Sequence, residues 1–212
     1  MKKIYWLIAT ICCYLGEVKA NAYLPEVVKI ESRRLYDHLK LSDVISFQAF
    51  QQALTGYAKY GIGEKEMLVL IDFTKPSTEQ RFCVVDLKHE QVLFKSHVAH
   101  GRKSGKNYAV SFSNQPGSYK SSLGFFRTGG TYFGKNGYSL LLDGLEKGIN
   151  DKARERAIVI HGATYADPHV LREQDRLGRS LGCPALPPGI SEEVIDTIKE
   201  GVLLYIYGRN KV

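Results

Sequence analysis

From Met67 onward the chain is written in short β-type runs separated by turn residues, and that rhythm restricts the fold more than any other feature. Met67 to Phe73 is an apolar run stopped by Lys75-Pro76-Ser77. Arg81 to Leu87 and Gln91 to Ala99 flank Lys88-His89-Glu90 and predict a hairpin. Tyr138 to Leu142, Ala157 to Ile160 and Val202 to Tyr207 predict further strands. Between 101 and 137 the chain is rich in glycine, serine and aromatics, and reads as a long irregular stretch. Helical spacing is confined to the flanks. Val28, Leu35 and Leu39 share one face, and Ser46 reads as an N-cap before Phe47, Phe50, Leu54 and Tyr57, with Gly61 and Gly63 ending the pattern. Ser191 reads as the cap of a last helix that opens with Glu192 and Glu193. The expectation is a mainly β domain with an N-terminal helical pair and a C-terminal helix at its edge.

The first 22 residues are set apart. Lys2 and Lys3 precede an apolar run from Ile4 to Leu15, and Ala20-Asn21-Ala22 offers a small-x-small cleavage pattern. That run is shorter than the ~20 residues a bilayer span needs, so the expectation is a signal peptide cleaved after Ala22 and an exported, periplasmic protein with no stable membrane span. Thr10-Ile11-Cys12 lacks the small residues that precede a lipid-bearing cysteine, which sets Cys12 and Cys13 aside. The expected organisation is a signal at 1–22, a helical segment at 23–66 and a catalytic domain at 67–212. Loss of Lys2, Lys3, Lys19 and Glu17 with the signal lowers the net charge from +7 to +5. No block of Lys and Arg is interleaved with aromatics, so nucleic acid is not the expected partner.

Cleavage would leave two cysteines, in very different settings. Cys83 lies in a strand pattern, where a buried inert thiol is the ordinary outcome. Cys183 stands between Gly182 and Pro184, outside any periodic segment, and a thiol kept in a loop of an exported protein points to chemistry. Upstream, Ile158-Val159-Ile160 leads into His161-Gly162, which places an imidazole at a strand end. A thiol with a pKa of ~8.5 needs a base or a cation to ionise near neutrality. His161 is the candidate base and Arg179 a candidate cation. The backbone N–H groups of Gly182 and Cys183 are candidate oxyanion donors.

Other chemistries fit less well. His161, His169, Cys183 and Asp167 offer zinc-type ligands but no H-E-x-x-H or C-x-x-C spacing, so no metal or cofactor is assigned. Papain-like peptidases place cysteine before histidine in the chain, the reverse of the order here. A non-catalytic wall-binding module would require an unreactive Cys183. His38, His89, His97 and His100 read as structural or surface residues.

His161-Gly162 followed by Ser180-Leu181-Gly182-Cys183 resembles the signature of the L,D-transpeptidase catalytic domain. Ser121-Ser122-Leu123-Gly124-Phe125-Phe126 is similar to that family's Thr-Pro-x-Gly-x-aromatic segment, with Ser-Ser replacing Thr-Pro. Tyr132 to Leu140 and Asp143-Gly144-Leu145 resemble a divergent branch, the murein L,D-transpeptidase catalytic-domain-like proteins. The resemblance covers roughly residues 67–207. It implies a β-sandwich catalytic domain acting on peptidoglycan stem peptides. Cys183 would attack the amide between diaminopimelate and D-Ala, and His161 would protonate the departing amine. An amine acceptor would resolve the thioester, or water in a carboxypeptidase. The resemblance further implies substrate contacts from Arg179, Ser180, Gly162, Tyr132 and Phe133, and a backbone carbonyl orienting His161, with Asp143 and Asp167 left open as alternatives. One place departs: the arginine usual two residues after the cysteine is Ala185, which leaves Arg179 or Arg176 to take its part.

Overall fold

The computed structural model describes residues 29–60 and 65–210. The expected signal peptide and its cleavage site, Val28, Gly61 and Gly63 lie outside the described residues. Two helices come first, α1 at 29–38 and α2 at Phe47–Tyr60. Ser46 Oγ accepts the Ala49 N–H at 3.4 Å, as expected of a residue at the N-cap. The Ser46 N–H in turn donates to the buried Asp72 carboxylate at 2.9 Å, tying the helix start to the end of the first strand.

Eight strands follow: β1 Met67–Asp72, β2 Phe82–Asp86, β3 Gln91–Ser96, β4 Gly124–Gly134, β5 Gly137–Gly144, β6 Val159–Gly162, β7 Ala185–Leu186 and β8 Leu203–Tyr207. They form one continuous sheet in the order β3-β2-β1-β8-β4-β5-β6-β7. The mainly β architecture is as expected. One sheet results because β8 pairs in parallel with β1 on one side and antiparallel with β4 on the other, bridging two antiparallel meanders.

Alternation along β1 and β8 divides the core. Val69, Ile71, Leu204 and Ile206 join one cluster with Phe126, Leu140, Ile160 and Cys183, closed by α3 (Pro188–Ile198) through Val194, Ile195 and Ile198. Leu68, Leu70, Leu203 and Tyr205 face the other way and meet Leu35, Leu39 and Phe50 from α1 and α2. Phe50 has no exposed surface, and its truncation to alanine would cost about 3–5 kcal/mol.

Two sequence expectations need correction. The region 101–137 is not irregular throughout, for its last third is the 11-residue β4. Glycine masked the strand, but Phe125, Phe126, Thr128, Thr131, Tyr132 and Phe133 supply the β-forming side chains. Gly129 and Gly130 sit where the register with β5 shifts, as in a bulge. The last helix begins at Pro188, three residues before Ser191, because proline suits a helix's first position. Ser191 lies inside the helix, its hydroxyl donating to the Pro188 carbonyl at 3.2 Å.

Candidate active site

β6 delivers His161 by ladder pairing. Tyr132, Ser139, His161 and Ala185 are directly opposite one another across β4, β5, β6 and β7, so their side chains share one face. The imidazole is 4 % exposed. Its Nδ1 lies 2.9 Å from the Gly162 carbonyl. A carbonyl can only accept, so Nδ1 carries the proton and Nε2 presents its lone pair. Burial lowers the imidazole pKa below its ordinary value, with the Gly162 bond opposing weakly, and the ring is held neutral. Gly162 is fixed by packing as well: a Cβ there would stand 2.4 Å from Ser191 Oγ on α3.

Cys183 ends a tight turn that precedes β7. Ser180 Oγ accepts the Gly182 N–H at 3.0 Å and donates to the Cys183 carbonyl at 2.6 Å. Gly182 has φ +134°, a backbone region that side chains other than glycine's strain to adopt. Ser121 Oγ donates to the Gly182 carbonyl at 3.1 Å and accepts the Gly101 N–H at 3.0 Å, clamping the turn from outside. Ala185 pairs with His161 in parallel register, which brings the Cys183 turn beside the start of β6, where the Val159 N–H reaches the sulfur. The thiol is 8 % exposed and donates to the Ala157 carbonyl at 3.5 Å. Burial pushes its pKa up, while the Val159 N–H and the Arg156 charge pull it back. Cys83 has no exposed surface in β2, and burial holds its thiol far above the usual range.

The other expected residues fall into distinct places. Gly182 is committed through its N–H to Ser180 Oγ, and the Cys183 N–H lies against its own sulfur. Ser180 spends its hydroxyl on the turn. Arg179 Nη1 donates to the carbonyls of Arg102 (3.1 Å) and Gly105 (3.0 Å), bracing that loop. Arg176 pairs with Asp175 at 2.9 Å. Tyr132 is 39 % exposed on the His161 face. Phe133 is 81 % exposed and on the opposite face, its ring 5.1 Å from that of Tyr138, whose hydroxyl donates to Asp196 at 2.7 Å. Asp143 is paired with Arg154, and Asp167 with His169 on the surface. Among the described residues, no three His, Cys, Asp or Glu side chains gather as metal ligands would. A cavity of about 520 Å³ between α2, β4 and β8, lined by Gly56, Tyr60, Phe125, Glu146 and Tyr205, includes neither Cys183 nor His161.

Two site residues gave no sequence signal. Tyr165 covers Ala185 in a small cluster with Ala99 and Ala166, and its phenol feels the Cys183 charge; burial and that charge push it up to about 12. Arg156 lies half-buried beside the Gly182-Cys183 turn. It comes from Lys152-Ala153-Arg154-Glu155-Arg156, a charged run that looks like a solvated surface.

Residues 41–207 match the L,D-transpeptidase catalytic domain family, a span that starts within the helical segment. The structure is similar to the helical cell shape determining protein Pgp2 of Campylobacter jejuni (15% identity, TM-score 0.46, covering 71% of this chain and 54% of that one). It is also similar to an L,D-transpeptidase from Mycobacterium smegmatis (15% identity, TM-score 0.41, 68% and 59%) and to one from Stackebrandtia nassauensis (18% identity, TM-score 0.40, 77% and 66%). The chain thus spans about half to two thirds of the length of these proteins. No curated protein matches it. Among the described residues no helix is long and apolar enough to cross a membrane. With its family match covering most of the sequence, the chain belongs to the L,D-transpeptidase catalytic domain family.

Proposed function

We propose that this protein is an exported peptidoglycan L,D-transpeptidase in which Cys183 is the nucleophile and His161 the general base. The observation that carries this reading is the Nδ1 bond to Gly162, which leaves Nε2 unprotonated as a base on the strand beside the Cys183 turn. Burial favours the neutral form of both groups, the thiol by raising its pKa and the imidazole by lowering its own. The resting pair is therefore thiol and imidazole. The proton moves to Nε2 as sulfur attacks the diaminopimelate carbonyl carbon. The Cys183 N–H faces the developing oxyanion. Collapse expels D-Ala, whose amine takes the proton from His161, and a thioester remains. An acceptor amine then attacks the thioester, His161 removes its proton, and that proton returns to sulfur as the new amide forms.

The acyl-enzyme is the species to detect. Intact mass after incubation with a carbapenem should rise by one drug molecule, and peptide mapping should place it on Cys183. Unmodified protein at saturating drug would refute the reading.

A further inference from the structure

Arg154 and Arg156 are two residues apart, yet they have opposite surroundings. Arg154 reaches out to the Asp143 carboxylate, with Nε at 2.7 Å. Arg156 turns inward. Its Nη1 donates to the Ser113 carbonyl at 2.7 Å and to Ser122 Oγ, and its Nη2 donates to the Lys120 carbonyl at 2.7 Å and to Ser118 Oγ at 3.2 Å. Every one of these acceptors is neutral. Half-buried cations are normally matched by a carboxylate, and here the ionisable group that the guanidinium faces is Cys183. The guanidinium also touches the nucleophile turn, since a Cβ on Gly182 would lie 3.6 Å from Arg156 Nη2 and 3.0 Å from the Lys120 carbonyl that it holds.

Ala185 occupies the place where the resembling family carries an arginine. It has no exposed surface and packs against Ala99 and Ala166, in the cluster that Tyr165 covers. The charge has to come from another segment.

We infer that Arg156 is the counter-charge of the Cys183 sulfur, stabilising it as it becomes negative and holding residues 113–122 against the nucleophile turn. The inference rests on Cys183 being the nucleophile. Arg156 acts as a positioning and charge-stabilising residue; nothing assigns it a contact with substrate. The titratable groups that meet the sulfur electrostatically are Arg156 and Tyr165, and Arg156 is the cation of the two, since Tyr165 is a phenol.

The test is the pH dependence of Cys183 alkylation by iodoacetamide, followed by mass spectrometry of the Cys183 peptide so that other thiols do not interfere. Arg156→Gln keeps hydrogen-bond donors and removes the charge. Its alkylation at pH 7 should slow roughly tenfold, and its midpoint should move to higher pH, a size usual for loss of one neighbouring charge. Arg156→Lys restores the charge on a side chain that cannot fork across two carbonyls, and it should recover part of the loss. An unmoved midpoint in a Gln variant that melts like wild type, or a Lys variant no better than Gln, would overturn the inference. If Arg156→Gln does not fold, Arg156→Met, which keeps the apolar stem and removes the charge, takes its place: a raised midpoint with Arg156→Lys closer to wild type supports the charge role, and an unchanged midpoint overturns it. Carbapenem acylation of the same wild-type preparation separates the two claims. Protein that alkylates as expected but takes no drug would sink the transpeptidase reading and leave the arginine assignment standing.

Discussion

His161 and Ala185 stand opposite each other in the parallel pairing of β6 and β7, and this one register sets the Cys183 turn beside the strand that carries His161. The two strands contribute only two paired positions, so the site depends on the hydrogen bonds that fix the turn before Ala185 as much as on the sheet.

Ser180 is the first place to break that dependence. Ser180→Ala leaves the buried Gly182 N–H without its acceptor and the Cys183 carbonyl without its donor. We expect a stability loss of about 1–3 kcal/mol and at least a tenfold slower carbapenem acylation. Urea melts and stopped-flow acylation would measure both; unchanged acylation would mean the turn holds itself.

Cys183→Ala should abolish drug adducts, whereas Cys83→Ala should leave them intact, because Cys83 has no exposed surface. Cys83→Ala should instead lower stability through lost packing. Intact mass and thermal melts on the two variants separate these roles, and an adduct surviving on the Cys183 variant would contradict the assignment.

His100 should make the fold acid-sensitive. It is 1 % exposed, accepts a hydrogen bond from Arg81 at 2.8 Å, and burial followed by the Arg81 charge lowers its pKa to about 3. The folded state therefore resists a proton that the unfolded chain binds near pH 6.5. Stability is full above that pH and falls as pH drops towards 3, by about 1.4 kcal/mol per unit for each histidine held neutral. His97 and His161 shift in the same direction and add to the slope. Urea titrations from pH 7 to 4 should show a shallower decline in His100→Gln; equal slopes would remove His100 from the account.

The acceptor decides the product. Tyr132 lies two strands from His161 on the same face, about 10 Å away at ~4.8 Å per strand. An apolar ring there can hold an acceptor stem and limit water. Cross-links between two diaminopimelate residues should therefore exceed free D-Ala release from tetrapeptide muropeptides when acceptor is plentiful. Tripeptide monomers as the sole product at every acceptor concentration would make the enzyme a carboxypeptidase.

Periodicity made most of the sheet legible, since β1, β2, β3, β5 and β8 carry runs of apolar and β-branched residues. β4 was hidden because glycines at 124, 129, 130 and 134 dilute a strand that its partners on both sides hold in place. Cys183 and His161 could be singled out as candidates because each residue type is rare in its setting. Ser180 was expected as a substrate contact and not as a turn brace, because hydrogen-bond geometry is not written in spacing. Arg156 was illegible: which of several adjacent charges turns inward is decided by the 113–122 segment, more than thirty residues away.

The central position of β8 has a consequence for how this protein comes into being. Leu203 to Tyr207 comes last in chain order among the eight described strands, yet it joins β1 to β4 and so links the first half of the sheet to the half beside which His161 and Cys183 lie. During synthesis the earlier strands have no completed scaffold to rest on, and closure must wait for pairings far apart in the chain, which are slow to form. Residues 203–207 thus have to be in place before the sheet is continuous.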